Sequence, residues 1–153
     1  MIKSDKLVSD NFEVPETLET KNYRLRMLTV NDVLKDYLAV ISSKDQLIDR
    51  FDDDSLWPEG LTFEQNLIDL GWHQKEFQER TSFAYTVVSL DENEILGCFY
   101  IYPSKNEKYC ADIFLWYKEC HIGEPKDEEL FYNVREWINK EWPFKKVNYV
   151  GRN

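Results

Sequence analysis

Asp112 is the one charged residue in YCADIFLWY, the apolar run from Tyr109 to Tyr117. A carboxylate inside such a run must be paired or functional, because burying a bare charge is costly. Arg24 and Arg26, which alternate with apolar residues in YRLRML, are the partners that would make it merely structural. The run continues into LWYKECHIGEPKDEEL, Leu115 to Leu130, where Gly123 and Pro125 precede Asp127, Glu128 and Glu129. A strand, a glycine at the joint and a helix can hold a phosphate, since unpaired N–H groups at the helix start point at the anion. Three acids in that place argue instead for an ordinary turn, and acid at a helix start also suits the helix dipole. Both readings stay open.

Other reactive side chains form no recognisable constellation. Cys98, Cys110 and Cys120 have no CxxC spacing, and neither Cys110 nor Cys120 has a histidine and carboxylate at nucleophile spacing. Free thiols acting as small hydrophobes are the simplest reading, in a reducing, cytoplasmic setting. His73 and His121 are the only histidines, too isolated for a zinc site, so no metal is expected. Asp52-Asp53-Asp54 reads as a solvated loop or a contact for a cationic substrate. Trp57 and Trp72 would line a pocket or fill the core.

The elements that must position these groups follow from periodicity. YRLRML, Tyr23 to Leu28, alternates as a half-exposed strand, and Val30, Val33, Tyr37, Val40 and Ile41 recur at helical spacing after Thr29. Ser43 to Arg50 is a short second helix. Thr62 and Gln65 form a capping box, and Phe63, Leu67, Leu70 and Phe77 give that helix its apolar face to about Arg80. Phe83–Leu90 and Ile95–Tyr102 make a hairpin around Asp91-Glu92-Asn93, and Tyr109–Tyr117 is a central strand covered on both faces. Pro125 opens a helix that buries Leu130, Val134, Trp137 and Ile138 and ends before Trp142-Pro143. Lys146–Val150 is a last short strand. The order β, α, α, β, β, β, α, β predicts an α/β domain over residues 1–153, with an antiparallel meander feeding one crossover. Residues 1–20 read as an N-terminal extension.

Composition narrows the functions. The 153 residues carry a net charge of -10, with a pI near 4.7, and 15% aromatic residues. That balance speaks against nucleic acid and favours a cationic partner such as an amine, with a solvated acidic surface as the plain alternative. The start of the chain lacks a secretory pattern, and no apolar window is long enough for a membrane span.

The element order resembles the first two-thirds of the GNAT (Gcn5-related N-acetyltransferase) fold, a mixed, mostly antiparallel central sheet flanked by helices. FEVPETLETKNYRLRMLTVND resembles the entry segment of bacterial members, ILGCFYIYP with Gly97 a third strand, and EWPFKKVNYVGR a final strand. The family's Gln/Arg-x-x-Gly-x-Gly/Ala loop, which binds the acetyl-CoA pyrophosphate, maps onto Lys118-Glu119-Cys120-His121-Ile122-Gly123. Lys118 and Gly123 are in register and His121 departs from the pattern, with Lys126 adding charge.

The resemblance implies acetyl-CoA as co-substrate and a small-molecule or peptide amine as acceptor. It also implies that backbone groups of Phe114, Leu115 and Trp116 polarise the thioester. Asp112 then stands as the base for the amine and Tyr149 as the acid for the thiolate. The family continues past its fifth strand, whereas the sequence ends at Asn153. A non-catalytic binding module is the alternative, and a homodimer formed through the last strand's edge is a third.

Overall fold

The computed structural model describes residues 5–48, 50 and 56–152, so Asp52, Asp53 and Asp54 lie outside the described residues. Six strands form one sheet in chain order: β1 (Thr17–Glu19), β2 (Tyr23–Met27), β3 (Phe83–Ser89), β4 (Ile95–Pro103), β5 (Ala111–Tyr117) and β6 (Val147–Tyr149). Neighbours are antiparallel except β5 and β6, which run parallel because α4 (Pro125–Glu141) carries the chain across. A 3-10 turn at Val30–Asp32 leads into α1 (Val33–Ser42), followed by α2 (Lys44–Leu47) and α3 (Phe63–Glu79).

Alternation along the strands divides the core in two. Ile113 and Leu115 of β5 pack with Leu130, Val134, Trp137 and Ile138 of α4. Trp116 turns to the other face, with Ala39 and Val40 of α1 and Leu70 of α3. Both faces of β5 are therefore covered, as its near-continuous apolar run requires. Gly97 lets β4 and β5 close together, since a Cβ there would collide with the Trp116 carbonyl.

Two expectations are corrected. The N-terminal segment contributes β1, and Val8 joins the core. That strand is three residues long with one half-buried side chain, too short to show alternation. On α3, Phe63 and Leu67 are 36% and 40% exposed, and the inward stripe is instead Asn66, Leu70, His73 and Phe77. The helix is turned so that Asn66 Nδ2 donates to the buried Asp36 carboxylate at 2.9 Å. A buried acid without a donor would cost more than leaving two apolar residues half in water.

Candidate active-site cleft and anion loop

Between the α1/α3 layer and the sheet lies a cleft of about 620 Å³. Its walls carry Asp36, Asp69 and Asp112, with Trp57, Tyr100, Tyr102 and Phe114 as aromatic lining. Lys105 is the one lysine or arginine among the lining residues. His73 also faces the cleft, its ring 5.4 Å from that of Tyr100, and burial pushes its pKa down, which keeps it neutral. The cleft is thus acidic and aromatic, a combination that attracts an ammonium group through charge and ring faces together.

Asp112 reaches this cleft because it alternates with Ile113, which enters the α4 core. It accepts from Asn148 Nδ2 at 3.2 Å, its register partner on β6. The arginine partners named from sequence are engaged elsewhere: Arg24 holds Glu19 and Glu92, and Arg26 holds Asp32 and Glu92. Tyr149, one residue on from Asn148, faces the opposite side of the sheet against Phe131 of α4. Its buried hydroxyl has no hydrogen-bond partner, and burial pushes its pKa up to about 12. Asp112 and Tyr149 are therefore not brought together.

Asp36 is 3% exposed and lies among Val33, Ala39 and Val40 on the inner side of α1. Burial pushes its pKa up to about 6, against the hydrogen bonds from Asn66 and from Cys98 Sγ at 3.5 Å. Asp36 was missed in the sequence, although a carboxylate three residues after Val33 and four before Val40 was a legible signal. Trp57 lines the cleft, whereas Trp72 is 57% exposed beneath the Lys75 ammonium.

The β5–β6 ladder ends at Ile113–Tyr149, with one further bond from Val150 N–H to the Ile113 carbonyl. The chain then turns away at Gly151, so Leu115 and Tyr117 lie beyond the paired stretch. Phe114, which lines the cleft one residue past the last ladder pair, meets Tyr102 edge-on, while the Trp116 indole N–H donates to the Tyr100 hydroxyl at 3.2 Å.

The loop after β5 brings its backbone donors to carboxylates of this chain. The His121 N–H donates to Glu124 at 3.1 Å, and the Gly123 N–H to Asp127 at 3.1 Å. Gly123 has φ +95, with nothing within 4 Å of where a Cβ would be. Arg152 grips the two oxygens of Asp127 at 2.7 and 2.6 Å. Its guanidinium also lies 3.5 Å from the Leu115 carbonyl on β5.

The remaining loop residues named from sequence are dispersed. Lys118 pairs with Glu94 at 3.2 Å, and Lys126 lies over the Tyr117 ring. Cys120 is buried, with its Sγ at Glu124, while Ile122 is 41% exposed. Arg50, not anticipated for the site, donates through Nη2 to the Cys120 carbonyl at 2.8 Å, and its buried Nη1 has no partner.

Six strands in chain order, with one parallel pair joined by a crossover helix, decide the architecture. The fold is that of the GNAT acetyltransferases. RimL, a ribosomal L7/L12 alpha-N-protein acetyltransferase in complex with coenzyme A, aligns at TM-score 0.63 and 18% identity over 80% of this chain and 67% of its own. A ribosomal-protein-S5-alanine acetyltransferase from Vibrio fischeri aligns at TM-score 0.64 and 14% identity, over 82% of this chain and 68% of its own. The microcin C7 self-immunity acetyltransferase MccE, in complex with acetyl-CoA and AMP, aligns at 0.59 and 13%, over 78% and 64%. The chain spans about two thirds of the length of these GNAT structures. No family model and no curated protein sequence matches it. Among the described residues no helix is long and apolar enough to cross a membrane.

The donor set of this loop fits a diphosphate in kind. Gly123 offers an amide with open space beside its Cα, Arg152 a guanidinium and Arg50 a buried N–H with no partner among the described residues. In this structure Asp127 holds the first two.

Proposed function

We propose that the protein is an N-acyltransferase of the GNAT fold, whose acceptor is a small cationic amine bound in the α1/α3 cleft. The observation that carries this reading is the cleft itself. Asp36, Asp69 and Asp112 line it together with four aromatic rings, and it reaches Phe114, one residue past the last β5–β6 ladder pair.

An ammonium ion entering the cleft gains from the carboxylates and ring faces, but it must become neutral before it can attack a carbonyl. Asp112 would take that proton: it lines the cleft, and its hydrogen bond comes from a neutral amide, Asn148, its ladder partner on β6. Asn148 orients the carboxylate without neutralising it. Bound acetyl-CoA would supply an activated acyl thioester, held at its diphosphate by Gly123, Arg152 and Arg50. Leu115, whose carbonyl Arg152 approaches, has its N–H on the same side of the strand, beyond the last ladder pair.

The test combines binding and turnover. Spermidine and putrescine are expected to raise the melting temperature and dicarboxylates to leave it unchanged, with amine-dependent thiol release from acetyl-CoA. Asp112→Asn should keep the fold and reduce that release by about a hundredfold or more. Equal shifts with amines and dicarboxylates would sink the reading.

The loop favours a second reading, an amine-binding module without transfer, since its amides already serve Asp127 and Glu124. Amine binding with no thiol release would select that one.

A further inference from the structure

The loop between β5 and α4 already holds an anion, and the anion is its own. The Asp127 side chain is 0% exposed and that of Arg152 4%, in a bidentate pair. The same carboxylate takes the Gly123 amide, and one turn earlier Glu124 takes the His121 amide. Amides at a helix start, a glycine at positive φ and a planar guanidinium are what generally grip a phosphate. Here they grip an aspartate from the first turn of the same helix.

A second cation stands beside the pair. Arg50 is attracted by Asp127 and repelled by Arg152, and burial pushes its pKa down. Its Nη2 is committed to the Cys120 carbonyl, and its buried Nη1 has no acceptor among the described residues. Arg152 thus holds the fully buried carboxylate directly, while Arg50 feels it at longer range and keeps a donor left over. A buried donor without a partner is costly, and an anion larger than a carboxylate could satisfy it.

We propose that the Asp127 carboxylate is an internal stand-in for a diphosphate. The loop then takes an external phosphate-bearing ligand only in exchange for the Asp127 bonds to Gly123 and Arg152. The proposal rests on the acyl-CoA reading above and makes Asp127 the residue that sets how readily such a ligand is admitted. Asparagine at this position keeps an oxygen for Gly123 and Arg152 but removes the competing charge.

The experiment is calorimetric titration of coenzyme A into the wild-type protein and into Asp127→Asn. The variant is expected to bind at least about tenfold more tightly. Equal or weaker binding by the variant overturns the proposal, as does binding by neither protein. A second measurement needs no variant and guards against a misfolded one: the Gly123 amide resonance of the wild-type protein during titration with inorganic pyrophosphate. It should stay in place until millimolar concentrations, and movement in the micromolar range would overturn the exchange. Failure of the acyl-transfer reading shows separately, as absence of thiol release from both proteins with amine present. Tighter coenzyme A binding by the variant supports the stand-in in either case.

Discussion

Two buried aspartates on opposite faces of the sheet show opposite uses of the same side chain. Asp36, in the cleft, has an amide and a thiol as partners and no cation among the described residues. Asp127, at the start of α4, has a bidentate arginine and a backbone amide. The first carries an uncompensated tendency to ionise, which a cationic ligand can satisfy. The second is already compensated, and so it occupies a place that an anionic ligand would need. The comparison teaches that an acid's partners, more than its burial, decide whether it invites a ligand or replaces one.

The largest expected effect comes from breaking the compensated side. Arg152→Gln leaves Asp127 buried without its cation and should lower unfolding stability by about 3 to 5 kcal/mol, read by urea denaturation. A loss below about 1 kcal/mol would mean that water reaches Asp127 readily, and the contrast between the two aspartates would fail.

The next effect lies in the cleft and has the opposite sign. The folded protein holds the Asp36 proton up to about pH 6, whereas a freely solvated aspartate releases it near 3.8. The unfolded state therefore binds fewer protons between those values, and stability falls as pH rises through that window, then levels off. Asp36→Asn should remove this slope and stabilise the protein at pH 7 by on the order of 3 kcal/mol, while weakening amine binding. Asn66 donates to Asp36 across the α1–α3 contact, Cys98 approaches it from β4, and Asp32 and Asp69 add repulsion. Thermal unfolding across pH 4 to 8 reads the difference, and an unchanged slope in the variant would assign it to another group.

The smallest effect checks that exposure separates the cases. Lys118→Ala removes a partly exposed pair with Glu94 and should change stability by less than about 1 kcal/mol. A larger loss would give Lys118 a role in the loop that its position does not suggest.

Much of the architecture was legible in the residues. β5 was readable because an apolar run of that length needs cover on both faces, and α4 because Pro125, its heptad-like apolar spacing and Trp142-Pro143 mark its start, face and end. β1 was not, since three residues carry no period. The face of α3 was misread because apolar spacing alone cannot register that Asn66 must turn inward to reach Asp36. The cleft was half legible: Asp112 stood out against an apolar strand, while Asp36 was overlooked within a helical pattern that accommodated it.

What the sequence by itself determined is the order of elements and the place of the loop, because periodicity, proline and glycine act over a few neighbouring residues. It also placed Asp112 in an apolar strand and acid at the start of α4. Only the tertiary structure decided what those acids do. Arg152 lies 25 residues beyond Asp127, Asn66 lies 30 beyond Asp36, and Asn148 lies 36 beyond Asp112. Whether a carboxylate is neutralised, held by a neutral donor or set in place of a ligand depends on such partners, and folding alone brings them within the few ångströms over which hydrogen bonds and charges act strongly.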